Sequence, residues 1–296
     1  MEIFAQQIVN GLVLGSIYAL VALGYTMVYG ILGLINFAHG DITMIGALVS
    51  LTLLQLLAAA GLPAPVVLGL AACGAMLVCA VLGLSIERAA YRPLRRAPRL
   101  APLITAIGVS ILLQYSAALV WGKQYISLPE VIEPVRFTLF GAQLTSLQAA
   151  IFLLACAIMG GLLWFIKASR MGRAMRATEQ NPDVAGLMGV NTNTVIAFTF
   201  LLGSAIGAIA GLMVVLYYGI GHYFMGFMLG LKAFTAAVLG GIGNVAGAVL
   251  GGLLLGVIES LVTSFVSASA ADILTFALVI AVLLVRPSGL LGRGGA

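Results

Sequence analysis

Ionisable side chains are rare in this sequence, and several of them fall inside or beside long apolar runs. Asp41, Lys232 and Glu259 lie within such runs, whereas His39 and His222 lie near Gly-rich interruptions. An ionisable group in a hydrocarbon environment is costly, so residues of this kind are usually paired with one another or functional. Lys232 has three interpretations: it extends to the water interface, it pairs with Asp41 or Glu259, or it meets a substrate carboxylate.

These residues and their polar neighbours are the candidates for lining a path through the protein. For Asn36, His39 and Asp41, one interpretation is polar groups facing that path, and the other is a network that fixes a break between helices. Asp41 and Glu259 would also be the proton carriers if the chain were a self-sufficient, proton-coupled secondary transporter. The full set of path candidates is Tyr18, Asn36, His39, Gly40, Asp41, Gln114, Lys232, Thr235 and Glu259.

The chemistry that is missing from the sequence excludes other classes of function. The phosphate-binding pattern G-x-x-x-x-G-K-[ST] does not occur, because Gln124 follows the single Gly-Lys pair, Gly122-Lys123. The zinc-hydrolase pattern H-E-x-x-H and the nucleophile pattern G-x-S-x-G do not occur either. The sequence therefore predicts a chain that is not an enzyme, holds no metal or cofactor, and depends on another subunit to bind and hydrolyse ATP if it uses ATP at all.

The composition predicts that these residues are held in a membrane. The chain is 62% hydrophobic and 8% charged and has a mean hydropathy of +1.18, whereas about 25% of residues are charged in a soluble protein. A bilayer core needs about 20 apolar residues per helix. The sequence offers such segments near residues 8–29, 40–60, 65–86, 100–121, 146–166, 195–218, 229–243, 245–268 and 272–285.

We therefore predict an all-α integral membrane protein, a polytopic bundle of about eight or nine transmembrane helices forming one transmembrane domain over residues 1–296. The short segment 229–243 and the stretch 30–39 are Gly-rich, which is typical of broken or re-entrant helices beside a transport path. Residues 11–60 and 203–260 also resemble each other in their order of small-residue helix, break and second helix. This similarity suggests an inverted repeat.

Charge predicts the orientation. Loops rich in Lys and Arg face the cytoplasm, and most of the 14 basic residues cluster at residues 88–99, 167–176 and 286–293. The loop 122–145 carries Lys123 and Arg136 against Glu130 and Glu133, so we expect it to lie outside. The resulting prediction is a multi-pass membrane protein with a cytoplasmic C-terminus.

The second basic region continues into a short predicted helix within the loop 167–194. Asn181 suits the N-cap and Pro182 the first helical position, Asp183 complements the positive helix end, and Gly189 suits the left-handed position after the helix. These residues predict a helix of about seven residues.

That helix carries an apolar stripe with nothing in the loop to cover it. Val184, Leu187 and Met188 recur at i, i+3 and i+4 and therefore share one face. Such a face fits a groove on a partner protein. The alternative is contact with lipid headgroups, which the basic residues just upstream would also favour.

Five segments of the chain resemble the LivH-type permease of branched-chain amino acid ABC importers. They are NGLVLGSIYAL at 10–20, GYTMVYGILGLINFAHGD at 24–41, GRAMRA at 172–177, KAFTAAVLGGIGN at 232–244 and RPSGLLG at 286–292. The resemblance runs essentially end to end, and Asp41 stands where the family has Glu or Asp after His-Gly.

The resemblance implies an ATP-driven alternating-access importer of branched-chain or related hydrophobic amino acids. Residues 1–296 would be a single permease domain in the bacterial inner membrane. Its implied partners are a LivM-type second permease, two ATPase subunits of the LivG and LivF types, and a periplasmic amino-acid-binding protein. Related permeases carry urea, short amides or aromatic acids, and these are the alternative substrates. The implied segment that docks on an ATPase subunit contains Glu179, Asn181, Pro182, Val184, Ala185, Leu187, Met188 and Gly189.

Overall fold

The computed structural model describes residues 2–95, 97–98, 100–129, 134–139, 141–286 and 288–292 of the 296-residue chain. Five charged residues used above to predict orientation, Arg96, Arg99, Glu130, Glu133 and Arg293, lie outside the described residues.

The described chain is a helix bundle, as predicted. Its long apolar helices number eight, and each is long enough to cross a bilayer. They are α1 (Glu2–Leu32), α2 (His39–Ala58), α3 (Ala64–Ile86), α4 (Leu100–Trp121), α5 (Ser146–Ala168), α8 (Thr192–Tyr218), α10 (Val245–Phe265) and α11 (Ala268–Val285). A π turn at Glu87–Tyr91 and a 3-10 turn at Arg92–Leu94 extend α3.

Three shorter helices and four short strands complete the described structure. The helices are α6 (Arg170–Gln180), α7 (Pro182–Leu187) and α9 (Met225–Gly240). The strands are β1 (Ile126–Ser127), β2 (Arg136–Leu139), β3 (Ala142–Thr145) and β4 (Ile220–Gly221); β1 pairs with β4 and β2 with β3, both antiparallel.

Both predicted interruptions are present. The chain leaves helical geometry at residues 33–38, where Gly33 has a φ of +64°, and again between Gly219, which ends α8 at a φ of +72°, and the start of α9. Only glycine adopts these backbone angles without steric cost. The 16 residues of α9 rise about 24 Å, which is less than the hydrocarbon thickness of about 30 Å.

Helices α1 and α8 form the centre of the bundle. In its most apolar window, 94% of α1 and 83% of α8 is buried, against 17% for α11 at the periphery. Small residues permit this close packing, since a Cβ added to Gly15 would lie 2.8 Å from the Leu253 Cα of α10. Side chains at the contact between α1 and α10 are therefore held between closely packed backbones.

The bundle has two distinguishable ends. Helices α4 and α5 both have one terminus beside residues 122–145 and the other beside the basic residues of 88–95 or 167–176. We call these the loop end and the basic end. Gln6 places the N-terminus at the loop end, because its Nε2 donates to the Gln143 carbonyl at 2.9 Å. The tail lies at the basic end, where the Leu290 amide donates to the Leu239 carbonyl at 2.9 Å.

Candidate functional site

Helix α7 begins and ends where the sequence predicts. The Asn181 side chain accepts hydrogen bonds from the amides of Asp183 at 3.0 Å and Val184 at 3.1 Å. Gly189 has a φ of +85°, and its amide donates to the Gly186 carbonyl at 3.1 Å. A two-sided cap of this kind stabilises a helix that is too short to form by itself.

The apolar stripe of α7 is exposed. Leu187 is 87% exposed, Met188 81% and Val184 52%, whereas Ala185 is buried at 4%. No described residue covers the Leu187 and Met188 side chains. Glu179 lies just before this helix, in the last turn of α6, and also lines a cavity at the basic end.

Helix α6 attaches α7 to the bundle, although the sequence predicts a loop in this region. Ser169 caps α6 by accepting from the Gly172 amide at 2.8 Å, and Gly172 packs closely against the Ile166 backbone of α5. The Arg176 guanidinium donates to the Ile166 carbonyl. Helix α7 is therefore joined to the end of α5 through a short, hydrogen-bonded connection.

A second set of polar contacts at the basic end joins the end of α3 to the start of α8, and the sequence does not predict it. The carboxylate of Glu87 is fully buried and bonded to Arg92 and Arg95. Arg95 also donates to the Asn193 side chain at 2.6 Å, at the start of α8. Glu87 was recognisable as the lone acid at the head of a basic segment, but its pairing depends on the π turn.

The charged residues of the apolar runs form one ionic cluster. The Lys232 ammonium lies 2.7 Å from the Glu259 carboxylate and 2.8 Å from that of Asp272. Tyr18 donates a hydrogen bond of 3.2 Å to the same oxygen of Glu259. Helices α1, α9, α10 and α11 therefore meet at this cluster, and Lys232 pairs with Glu259, one of the alternatives left open above.

Asp41 is not part of that cluster. Its carboxylate accepts from the Ser110 hydroxyl at 2.5 Å and from the Gln114 amide at 3.1 Å, both on α4. Pairing of Lys232 with Asp41, the other alternative, is absent from the described contacts. Ser110 was missed, although its spacing of four residues from Gln114 places both on one helix face.

The residues at the first break hold the backbone in place. The Asn36 side chain accepts from the Tyr91 hydroxyl at 2.8 Å and from the Ala38 amide at 3.2 Å. His39 is buried and its ring lies 5.0 Å from that of Tyr25. Gly40 allows α2 to cross α9, since an added Cβ would lie 2.6 Å from the Gly230 Cα. For Asn36 these contacts fit the network interpretation.

Two cavities lie along α1 and α9. The loop-end cavity has a volume of about 210 Å³ and is lined by residues that include Tyr18, His222 and Lys232. The basic-end cavity, of about 950 Å³, is lined by residues that include Glu179 and Thr235. The predicted path residues therefore do not line a single cavity. Tyr18 and Lys232 line the loop-end cavity and Thr235 lines the basic-end cavity. Asp41 and Gln114 are hydrogen-bonded to each other instead.

Aromatic rings cluster around Phe234 of α9, the first residue of this helix to line the basic-end cavity. Phe234 contacts Tyr25 with a ring separation of 6.2 Å and Phe37 with one of 5.8 Å. Along α9, residues up to Lys232 line the loop-end cavity, and residues from Phe234 onward line the basic-end cavity. The Tyr25, Phe37 and Phe234 rings, which we call the aromatic barrier, therefore cluster at the point of α9 where the lining changes from one cavity to the other. Within the described residues, no group of three His, Cys, Asp or Glu is placed to hold a metal ion.

Comparison with known protein families and relatives identifies the family of this chain. Residues 7–283 match the family described as branched-chain amino acid transport system, permease component. The chain belongs to this permease family. It is 47% identical to the high-affinity branched-chain amino acid transport system permease protein LivH of Escherichia coli K12, over 98% of this chain and 96% of that protein. It is 46% identical to the permease protein BraD of Pseudomonas aeruginosa, with the same coverage.

The residues matched to this permease family include α7, the ionic cluster, the loop-end cavity and most of the lining of the basic-end cavity. The relatives are transport permease components and cover nearly the whole chain, in agreement with the predicted class of function. One solved structure, PsaBC from Streptococcus pneumoniae in complex with Fab, aligns with 92% of this chain and 88% of that chain. Its TM-score is 0.48 and its sequence identity 15%.

Proposed function

We propose that this permease is one of two membrane subunits of an ATP-driven importer for branched-chain amino acids. The substrate class follows from its relatives, whose names specify branched-chain amino acid transport. A LivM-type permease is the proposed second membrane subunit, and a periplasmic binding protein is the proposed donor of substrate. Residues 1–296 act as a single permease domain in the inner membrane, with the basic end and the C-terminus in the cytoplasm.

The observation that carries the mechanism is the exposed apolar face of α7. Leu187 and Met188 project from the basic end with almost all of their surface accessible. Burying two such side chains in a partner contributes about 1.5–3 kcal/mol each. ATPase subunits of the LivG and LivF types bind and hydrolyse ATP, and one of them receives α7 in a groove. This permease itself contributes no cofactor.

The connections behind α7 support transmission of the ATPase motion. Helix α6 joins α7 to α5 through Arg176 and the Ile166 carbonyl, while Glu87 and Arg95 join the end of α3 to the start of α8. Both connections lie at the basic end. A displacement of α7 would move α5 and α8 together, and α8 is one of the two central helices.

The substitution Leu187→Glu tests this proposal. A carboxylate cannot enter an apolar groove without losing its hydration, so leucine uptake and substrate-stimulated ATP hydrolysis should both fall by about tenfold or more. The assay uses proteoliposomes that contain both permeases and both ATPase subunits, with the binding protein added. Leu187→Met should retain uptake, because it preserves the apolar surface.

A matched control introduces the same charge at the other end. Leu62 is 41% exposed in the turn between α2 and α3, at the loop end, so Leu62→Glu should leave ATP hydrolysis unchanged. If α7 rested on lipid headgroups instead, Leu187→Glu would leave substrate-stimulated ATP hydrolysis at the native rate. That result would overturn the docking role.

A further inference from the structure

The loop-end cavity has the size and shape of a pocket for a small molecule. It lies between α1, α8 and α9 and has a volume of about 210 Å³. A cavity of about 150 Å³ holds benzene, which has six non-hydrogen atoms, so this one suits roughly eight or nine. Leucine has nine. The cavity is too small for a peptide and larger than urea requires.

Most of its wall is apolar. Leu14 and Ile17 from α1, Val214 from α8, and Met228 and Leu229 from α9 line it. Such a wall suits a branched hydrocarbon side chain, because burying it removes apolar surface from water. These five side chains offer no hydrogen-bonding partner for the side chain of a polar amino acid. The wall alone therefore favours an aliphatic occupant.

One side of the pocket is polar, and it retains unused hydrogen-bonding capacity. Lys232 has three N–H donors, of which Glu259 and Asp272 take two, so one has no partner among the described residues. The Tyr18 hydroxyl donates its proton to Glu259 and also hydrogen-bonds with the Tyr218 hydroxyl, so its oxygen keeps one lone pair as an acceptor. A donor and an acceptor therefore face the same small cavity.

The charge of the cluster selects a zwitterion over an anion. Lys232 carries one positive charge against the two carboxylates of Glu259 and Asp272, so a lone carboxylate ligand would add to a negative excess. A zwitterion adds no net charge. Its carboxylate would accept from Lys232, and its ammonium would donate to the Tyr18 oxygen.

We infer that the loop-end cavity is a binding site within the permease for an aliphatic L-amino acid, occupied between release from the binding protein and passage of the aromatic barrier. This inference rests on the proposed function. It adds that the permease recognises the substrate by both its charged groups and its side chain, so selectivity does not reside in the binding protein alone.

The test is equilibrium binding of radiolabelled L-leucine to the purified complex of both permeases and both ATPase subunits in lipid nanodiscs. Nucleotide and binding protein are absent, so that only a site within the complex is measured. We expect saturable binding that unlabelled L-valine and L-isoleucine displace. Isocaproate, which lacks the ammonium, and isoamylamine, which lacks the carboxylate, should compete at least tenfold more weakly.

Two variants locate the site. Met228 lines the cavity and is 43% exposed, so Met228→Trp fills the pocket without disturbing the buried core and should weaken leucine binding at least tenfold. Leu250 on α10 is 45% exposed and does not line the cavity, so Leu250→Trp should bind as the native complex does. Tyr125→Ala, at a 68% exposed position of the cavity wall, should weaken binding less than Met228→Trp.

Failure of this inference differs from failure of the proposed function. If the complex transports leucine with its binding protein but binds none without it, or if Met228→Trp binds leucine as the native complex does, the pocket assignment is wrong and the importer proposal stands. If the complete system transports no branched-chain amino acid, the proposed function itself fails.

Discussion

The ionic cluster buries charged side chains among apolar helices, whereas helix α7 exposes apolar side chains at the basic end. Lys232 and Glu259 carry charges in a region built from apolar helices, with exposed side-chain fractions of 14% and 10%. Leu187 and Met188 present hydrocarbon at the basic end, with exposed fractions above 80%. Lys232 and Glu259 find oppositely charged partners within the chain, because they contact each other. The second pair has no such contacts among the described residues.

The difference indicates which region depends on a partner. A buried ion pair with additional hydrogen bonds fixes the relative positions of its helices through contacts within the chain. A capped helix with an exposed apolar face keeps its conformation, but its apolar side chains have no neighbour to pack against within the chain. Changes to the cluster should therefore alter the stability of this chain. Changes to α7 should alter its coupling to the ATPase and leave its stability nearly unchanged.

Removing the C-terminal cap of α7 should give the largest effect on coupling. Gly189→Pro places φ near −65° where the backbone requires +85° and removes the N–H that donates to Gly186, a change that costs about 3 kcal/mol. We expect substrate-stimulated ATP hydrolysis to fall about a hundredfold, with normal membrane insertion. Gly61→Pro changes a glycine with a φ of +69° at the loop end, and ATP hydrolysis should respond far less there. Equal losses in the two variants would remove the distinction between the ends.

Breaking the ionic cluster should give the largest effect on stability. Lys232→Met leaves two carboxylates without their cation, and removal of one partner from a buried pair costs about 3–5 kcal/mol. The double variant Lys232→Met, Glu259→Leu should recover part of that loss, because no buried charge then lacks its partner. The measurement is thermal unfolding of the purified protein in detergent.

Asp272→Asn is the control for that cycle. The Asp272 side chain is 39% exposed, so solvent already screens its charge and its contribution to stability should be below about 1 kcal/mol. A double variant less stable than Lys232→Met alone would show that the cluster does not act as a closed unit.

Loss of the N-terminal cap of α7 should have the smallest effect of the three. Asn181→Ala removes two hydrogen bonds to backbone amides and costs about 0.5–2 kcal/mol of helix stability. Coupled ATP hydrolysis should fall about fivefold. Asn191→Ala removes an equivalent cap from α8, whose 27 residues are held by packing, so its hydrolysis rate should stay near native. A lower rate for Asn191→Ala than for Asn181→Ala would contradict the special role of α7.

The sequence predicts the local features of the fold well, because their causes are local. The bounds of α7 follow from Asn181 and Gly189, and the break before α2 follows from a Gly-rich stretch. Helix α6 was missed because Arg170–Gln180 has few apolar residues and no membrane-type hydrophobicity. Its stability comes from the Ser169 cap and from contacts with α5.

Contacts between distant segments were harder to predict. Glu259 was recognisable as a partner of Lys232, but Asp272 stood at the edge of an apolar run and gave no sign of reaching the same ammonium. The bonds of Asp41 to Ser110 and Gln114 depend on α2 lying beside α4. The cavities depend on backbone separations that residue types do not encode.

Site-specific crosslinking from α7 tests the central claim most directly. Benzophenone maleimide is attached to Met188→Cys in a chain that also carries Cys73→Ser, Cys79→Ala and Cys156→Ser, and the assembled importer is irradiated in membranes. Leu62→Cys serves as the control. The account predicts a covalent adduct between Met188→Cys and an ATPase subunit, and none from Leu62→Cys. Adducts of Met188→Cys with lipid or with this chain alone would contradict it.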